Sequence, residues 1–292
     1  VRIVTEKREL RDALAASTGS VALVPTMGYL HEGHMTLFRR ARAHNDLVVA
    51  TIFVNPTQFG PNEDFTVYPR DPQGDSEKCR SSGVDLLWMP ETTQVYAPDH
   101  TTTVRVDGLT AGLCGVFRPG HFEGVATVVA KLFGVVQPDR AYFGEKDFQQ
   151  LAVIRRMARD LDLPVEVIGV PTIRDPDGLA MSSRNVYLSP GQRQVALALS
   201  RALRAARALH ASGERSGSAL EAELHRVLAA EPTIAVHYAS VVDPDSLAPL
   251  AGTMLPDRAG ARGVIAVHVG RTRLIDNAAL DRDDPSFAGL TP

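Results

Sequence analysis

Val21-Ala22-Leu23-Val24-Pro25 is a short apolar run that leads straight into Thr26-Met27-Gly28-Tyr29-Leu30-His31-Glu32-Gly33-His34. The first part reads as a buried strand closed by Pro, and the second opens a helical pattern. A strand handing over to a helix through a glycine-bearing turn is where open α/β sheets bind phosphates. The first N–H groups of such a helix lack an internal partner and point outward. Gly28 and Gly33 allow the backbone close to a ligand. His31 and His34, three apart, share a helix face and can donate to phosphate oxygens as charge develops. The zinc-protease pattern H-E-x-x-H needs its histidines four apart, and here the second comes one residue early. The plain alternative is a pair of surface or capping histidines.

Working outward, residues 47–55 (LVVATIFVN) are β-branched on both faces, as in a parallel strand covered on both sides. Runs at 85–90 (DLLWMP), 140–144 (RAYFG) and 165–170 (VEVIGV) read the same way. In 124–136, Val125, Val128, Val129, Leu132, Phe133 and Val136 recur at helical spacing and form one stripe. Residues 147–160 read as a helix with Leu151 and Ile154 inward. Strands alternating with helices predict an α/β domain with a parallel sheet. After Ile173 the order changes. Ser189 caps a helix that has Pro190 in its first position and runs to about His210. Residues 213–217 break it, a second helix reaches about Ala230, and strands follow at 235–242, 264–269 and 272–277. Helices followed by strands predict a smaller α+β domain. The boundary is expected near residue 172, giving domains 1–172 and 173–292. Arg174-Asp175-Pro176-Asp177-Gly178 is expected to be a flexible loop, and the tail 281–292 to fray.

Composition narrows the function. The 292 residues are 44% hydrophobic and 22% charged, which is ordinary for a globular protein. Lys plus Arg number 31 against 34 Asp plus Glu, a formal charge of −3, so no field draws in a nucleic-acid backbone. The two cysteines, Cys79 and Cys114, lack a CxxC spacing and read as structural thiols of a reducing, cytoplasmic compartment. No apolar run reaches the roughly 18 residues a membrane span needs. Residues 1–10 read as neither a signal nor a transit peptide, and an initiator Met is expected ahead of Val1. Trp88 reads as core, and Arg201, Arg204 and Arg207 as a solvated helix face.

Four more segments carry chemistry. Phe143-Gly144-Glu145-Lys146-Asp147-Phe148-Gln149-Gln150 follows another strand and opens another helix. Lys146 offers a point charge for phosphate, Asp147 a helix cap or ribose acceptor, and Gln150 looks toward the same crevice. Met181-Ser182-Ser183-Arg184-Asn185 sets two hydroxyls and a guanidinium side by side, which suits phosphate oxygens; a Ser-rich linker is the alternative. Asn55-Pro56-Thr57-Gln58-Phe59 ends a strand, where Gln58 can fix a small polar substrate. Arg118-Pro119-Gly120-His121-Phe122-Glu123-Gly124 precedes the apolar helix, with His121 over the site or merely capping.

Together and in this order, PTMGYLHEGH, FVNPTQF, RPGHFEGV, FGEKDFQQL and DGLAMSSRN resemble the pantothenate synthetase (pantoate–β-alanine ligase) family of the HxGH nucleotidylyltransferase superfamily. MSSRN stands where class I tRNA synthetases carry their KMSKS loop. The resemblance implies a Rossmann-like first domain, a lid-like second one, and a ligation in two steps. Pantoate attacks the α-phosphorus of MgATP to give pantoyl adenylate and pyrophosphate; β-alanine then attacks the acyl carbon to give pantothenate and AMP. It also implies site residues. Pro25, Met27, Gly28, Tyr29, Leu30, His31, Glu32, Gly33 and His34 hold ATP, with both histidines at the phosphates. Gly144, Glu145, Lys146 and Asp147 form the ribose and phosphate turn, and Ile173 touches adenine through its backbone. Met181, Ser182, Ser183 and Arg184 complete the phosphate contacts. Gln58 and Gln150 bind pantoate, Gln58 also meeting β-alanine, with Asn55 and His121 in the same group. His31, His34, Lys146 and Arg184 carry catalysis; His34 matches the family's proton-donor position, and its main role is read as charge stabilisation because adenylation needs little proton transfer. Some family members have a carboxylate-rich stretch linked to metal; here Gly74 interrupts Asp71-Pro72-Gln73-Gly74-Asp75, so Mg²⁺ is expected on the ATP phosphates with no protein ligand named. A homodimer is implied, with no nucleic-acid or membrane partner. The rival enzyme reading is a nucleotidylyltransferase acting on another small acid or a phosphorylated acceptor, which paired glutamines disfavour. A non-enzymatic nucleotide-binding scaffold is the third, which the intact motifs disfavour.

Overall fold

Leu23 and Val24 point to opposite faces of one strand, yet both are fully buried. Such a strand must be covered on both sides, and it organises the first of two units. The computed structural model describes residues 1–61, 63–255, 260–280 and 284–288. By internal contacts the chain divides into Val1–Ala111, Arg118–Glu145 and Gln150–Val170 on one hand, and Gly112–Phe117, Lys146–Gln149 and Pro171–Pro292 on the other.

The first unit is built on six parallel strands, β1 (Arg2–Val4), β2 (Val21–Thr26), β3 (Leu47–Ile52), β4 (Leu86–Trp88), β5 (Arg140–Gly144) and β6 (Glu166–Val170), in the spatial order β1-β4-β3-β2-β5-β6. The helices are α1 (Lys7–Ala15), α2 (Glu32–His44), α3 (Pro72–Ser81), α4 (Thr92–Val95), α5 (Cys114–Phe117, in the second unit), α6 (His121–Val136) and α7 (Phe148–Asp160). Alternation along the strands sorts the core. Leu23, Val49, Leu86, Trp88, Ala141 and Phe143 cluster with Leu10 of α1, the stripe of α6, and Leu151, Ile154 and Met157 of α7. Ala22, Val24, Val48, Ala50, Leu87 and Tyr142 cluster with Leu37, Phe38 and Ala41 of α2 and Cys79 of α3. Trp88 is core as expected, its indole N–H donating to the Thr5 carbonyl at 3.1 Å.

Several boundaries differ from the pattern reading. β3 stops at Ile52 rather than Asn55, because Pro56, without an N–H, opens a 3₁₀ turn over Pro56–Gln58. α6 begins at His121, since Gly120, with φ of 79°, turns the chain into it. β1 and α3 carry too little apolar pattern to be read: only Val4 is buried in the former, and only Asp75 and Cys79 in the latter.

The second unit also contains α8 (Pro190–Ala196), α9 (Ala198–Ala211), α10 (Gly217–Ala229) and an antiparallel sheet of β7 (Ile234–Val242), β8 (Arg262–Val269) and β9 (Thr272–Ala279), in that order. One expected helix is thus two, parted at Leu197, whose N–H turns back to the Gln194 carbonyl at 3.3 Å in a tighter i→i−3 bond. Ser189 does cap α8, and Gln192 reciprocates. The loop expected to be flexible is tied down. Arg174 makes a two-pronged, buried ion pair with Asp276 (2.6 and 3.0 Å) and donates to the Gly178 carbonyl, while Arg193 holds Asp175 and Asp177. Nor is Arg207 solvated: it donates to the Ala279 carbonyl and lies over the Phe287 ring. Residues 284–288 of the tail are described, with a 3₁₀ turn at Pro285–Phe287; the expectation of fraying at 281–283 and 289–292 lies outside the described residues.

Removing one partner of the buried pair strands the other. Arg174→Ala is expected to cost about 3–5 kcal/mol of stability, read from the midpoint of urea unfolding. An unchanged midpoint refutes the assignment.

Candidate active site

β2 is flanked by β3 on one side and β5 on the other, and the chain runs outward from it in both directions. Strand order reverses here, and in open parallel sheets ligands bind at the carboxyl ends of the strands beside such a point. The turn leaving β2 uses two consecutive left-handed residues, Gly28 (φ 84°) and Tyr29 (φ 51°). A side chain on Gly28 would meet Ile52 Cγ2 at 2.9 Å and Asp75 Oδ2 at 3.0 Å. Asp75 holds the turn: its two oxygens accept the N–H groups of Tyr29 and Leu30, each at 2.7 Å. Only 1% of this residue is exposed. Burial pushes its carboxyl above the usual range, against the pull of the two N–H groups and Lys78. In sequence Asp75 stands out only as part of an interrupted acidic stretch; the structure gives both its oxygens to backbone donors. The available signal was Asp71-Pro72, a cap and first position that put Asp75 in the opening turn of α3.

His31 and His34 come together at the start of α2, ring centroids 4.1 Å apart. His31 is the N-cap residue, and its N–H donates to His34 Nδ1 at 3.3 Å. An accepting ring nitrogen carries no hydrogen, so the neutral His34 ring has its proton on Nε2.

After β3, a polar knot sits among apolar neighbours. Asn55, 1% exposed, donates from Nδ2 to Gln58 Oε1 and to the Gly124 carbonyl, both at 3.1 Å. Its Oδ1 accepts from Tyr96 (2.9 Å) and Thr57 (3.0 Å). Gln58 Nε2 donates to Met27 Sδ at 3.1 Å, linking this knot to the turn after β2. Gly124 makes the approach possible, because a Cβ there would lie 2.6 Å from Thr57 C and 2.7 Å from Gln58 Cα. Tyr96 was invisible to pattern reading, lying just after a polar four-residue helix and reaching Asn55 across 41 positions.

His121 stands beside this knot. Arg118 pairs two-pronged with Glu63 (2.7 and 2.6 Å) and presents Nη1 to His121 Nε2 at 2.9 Å. A guanidinium only donates, so Nε2 accepts and Nδ1–H donates to the Gln58 carbonyl at 2.9 Å. Both ring nitrogens thus face protein groups. Burial raises the Glu63 carboxyl, but Arg118 outweighs it and holds the group below the usual range.

Gly144 ends β5 and Glu145–Asp147 form a 3₁₀ turn. Met27, His31, His34, Asn55, Gln58, His121, Gly144, Glu145 and Gln150 belong to the first unit; Lys146, Asp147, Ile173, Met181, Ser182, Ser183 and Arg184 belong to the second. Within the second, the Lys146 carbonyl accepts from Asn277 Nδ2 at 2.8 Å, and its ammonium lies 3.8 Å from Asp147. The Ile173 carbonyl accepts the Met181 N–H at 2.9 Å, closing the loop that leads to Ser182, whose hydroxyl accepts the Arg184 N–H at 3.3 Å. Gln149 and Gln150 part company. Gln149 is buried, bonding Cys114 N–H and the Gly112 carbonyl, while Gln150 is half-buried. Burial pushes the Cys79 thiol up to about 12, so it is inert at neutral pH. Among the described residues no group of three or more His, Cys, Asp or Glu is placed to hold a metal ion, and no helix is long and apolar enough to cross a membrane.

A reversal of strand order, with a histidine-bearing helix start after one strand and a fixed amide after the next, is the arrangement of the α/β proteins that take small ligands at their strand ends. The pantoate–β-alanine ligase family matches residues 2–279. The pantothenate synthetase of Roseiflexus sp. (strain RS-1) is 54% identical over 96% of this chain and 100% of its own, and that of Moorella thermoacetica 52% identical over 91% and 92%. The crystal structure of pantothenate synthetase from Thermus thermophilus superposes with a TM-score of 0.92 at 51% identity, covering 96% of this chain and 99% of that one. The Francisella tularensis pantoate–β-alanine ligase, complexed with beta-gamma ATP and β-alanine, gives 0.77 at 29% identity over 97% and 98%. The chain belongs to the pantoate–β-alanine ligase family.

Asp75→Asn keeps one acceptor and turns an NH₂ on the other N–H. Amide hydrogen exchange at Tyr29 and Leu30 is expected to rise roughly tenfold or more in a protein with unchanged circular dichroism; unchanged protection refutes the clamp. Gly124→Ala drives a methyl group into the Thr57–Gln58 backbone and is expected to cost about 1–3 kcal/mol in urea unfolding; a neutral result refutes the close approach.

Proposed function

We propose that this chain joins pantoate to β-alanine using ATP, releasing AMP and pyrophosphate. The observation that carries the reading is the contact between Gln58 and Met27, which brings a fixed amide and a phosphate-suited helix start to the carboxyl ends of adjacent strands. The ATP and β-alanine of the Francisella complex support it.

In the first step the pantoate carboxylate attacks the α-phosphorus, and pyrophosphate leaves. In the second the β-alanine amine attacks the acyl carbon and AMP leaves. Both nucleophiles belong to substrates, so the protein supplies position and positive charge. The turn from Met27 to Leu30, held by Asp75, brings the start of α2 to the phosphates. His34 donates from Nε2 with His31 beside it, stabilising charge rather than moving a proton. Pro25, Tyr29, Glu32 and Gly33 complete that ATP-binding segment. Gln58 and Gln150 orient pantoate, Asn55 and His121 fixing Gln58 from behind. Gly144, Glu145, Lys146 and Asp147 serve ribose and phosphate, Ile173 adenine, and Met181, Ser182, Ser183 and Arg184 the phosphates. Mg²⁺ would enter as part of the MgATP substrate and would supply charge neutralisation at the phosphates; Asp75, with both oxygens committed to N–H groups, is ill suited to ligate it. The second unit acts as a lid that keeps water from the adenylate. The working form is a cytoplasmic homodimer.

The test is product identity. AMP and pyrophosphate should accumulate over many turnovers only with both pantoate and β-alanine present, pantoate alone supporting no more than a single release of pyrophosphate, and ADP overturns the proposal. Activity with a phosphorylated acceptor but not with pantoate instead favours the nucleotidylyltransferase reading. His34→Ala, Lys146→Ala and Arg184→Ala should each slow pantoate-dependent pyrophosphate exchange by about 100-fold or more without unfolding. Wild-type exchange in any of them removes that residue from the mechanism.

A further inference from the structure

The knot after β3 has a direction. The oxygen and nitrogen of a side-chain amide have nearly the same shape, but here the neighbours decide which is which. The Gly124 carbonyl can only accept, so the Asn55 atom 3.1 Å from it is the donor, Nδ2. The other atom, Oδ1, faces the hydroxyls of Tyr96 and Thr57, at 2.9 and 3.0 Å. These two hydroxyls also lie 3.2 Å from each other. Whichever donates between them, the chain of hydrogens ends on Asn55 Oδ1. With Nδ2 fixed, its second hydrogen goes to the Gln58 atom 3.1 Å away, which must be Oε1. Gln58 therefore turns Nε2 toward Met27. That nitrogen carries two hydrogens on diverging bonds, and only one of them can point at the Met27 sulfur.

We propose that Tyr96 is a positioning residue for acid-substrate binding, acting through Asn55 to hold the Gln58 amide with its N–H toward an oxygen of the substrate acid. The inference rests on the reading of Gln58 as the acid-binding residue and adds a remote hydroxyl that, together with the Gly124 carbonyl and Thr57, fixes its polarity. Tyr96 is well placed for it. Its ring packs against Phe53 at 6.3 Å and beneath Lys131 at 5.3 Å, and only 8% of the residue is exposed. Burial raises its phenol above the ordinary range, against the hydrogen bonds to Thr57 and Asn55, so it remains a donor across the physiological range. A donor-presenting amide suits a carboxylate or hydroxyl oxygen, and an amide turned the other way would set oxygen against oxygen.

The experiment uses the full-length enzyme and steady-state kinetics with pantoate and ATP varied separately. Tyr96→Phe keeps the ring and deletes the donor. It should raise KM for pantoate about three- to tenfold, leave KM for ATP within about twofold, and leave the thermal midpoint close to wild type. Asn55→Asp keeps the shape but cannot donate to Gln58, so the Gln58 amide should turn over and KM for pantoate should rise by at least about tenfold. Adding Tyr96→Phe to Asn55→Asp should then change it little, because the relay is already broken. Gln58→Ala separates the two ideas. If Gln58→Ala raises KM for pantoate and Tyr96→Phe does not, the relay is overturned and the Gln58 reading stands. If Gln58→Ala leaves it unchanged, the reading fails and the relay with it. If Tyr96→Phe raises both KM values alike or lowers the thermal midpoint in proportion, its role is structural and the proposal is overturned.

Discussion

A strand covered on both faces can present chemistry only at its ends, and β2 lies in the middle of such a sheet. Everything that a ligand could meet there must come from the few residues after Thr26. Those residues have to turn sharply to begin α2, and the turn runs through two left-handed positions, the second of them not a glycine. A left-handed Tyr is disfavoured on its own. The Asp75 carboxylate, itself costly to bury, is satisfied by the two N–H groups that this turn frees, so each awkward feature answers the other.

The same reciprocity recurs after β3. A buried amide is destabilising unless its hydrogen bonds are filled, and Asn55 fills them with groups drawn from four separate residues of the chain. The Glu63–Arg118 pair does the corresponding task for His121, fixing its neutral tautomer and through it the Gln58 carbonyl. Rigid polar surroundings of this kind hold a side-chain amide in one orientation before any ligand arrives, and preorganisation of that sort is how positioning lowers a barrier without new contacts being formed.

Much of the architecture was legible in sequence because it rests on local periodicity. The apolar run at 21–25, the β-branched run at 47–55 and the stripe of α6 announce themselves, and the histidines and glutamines sit in contiguous motifs. Features built on distant pairing were not legible. Asp75 meets Tyr29 across 46 positions, and Tyr96 meets Asn55 across 41, with no pattern joining them. The segment 174–178 has loop composition, yet a buried ion pair spanning 102 positions and the fork of Arg193 pin it. Arg207 illustrates the converse error: an arginine repeat looks solvated until a carbonyl and a ring are brought to one member. Pattern reports which face is apolar, whereas tertiary structure decides which polar groups are drawn inside.

The neighbouring glutamines at the start of α7 have a consequence for how this protein can change. Gln149 is locked inward by both ends of its amide, and Gln150, one step along the helix, faces elsewhere. One residue is about 100° of rotation on a helix. Inserting or deleting a single residue between Gly144 and Gln149 would therefore swap an internal fastener for a half-buried side chain. The joint is keyed, like a shaft that enters its socket at one angle only. Length variation among descendants of this sequence should accumulate in other connections and spare this one.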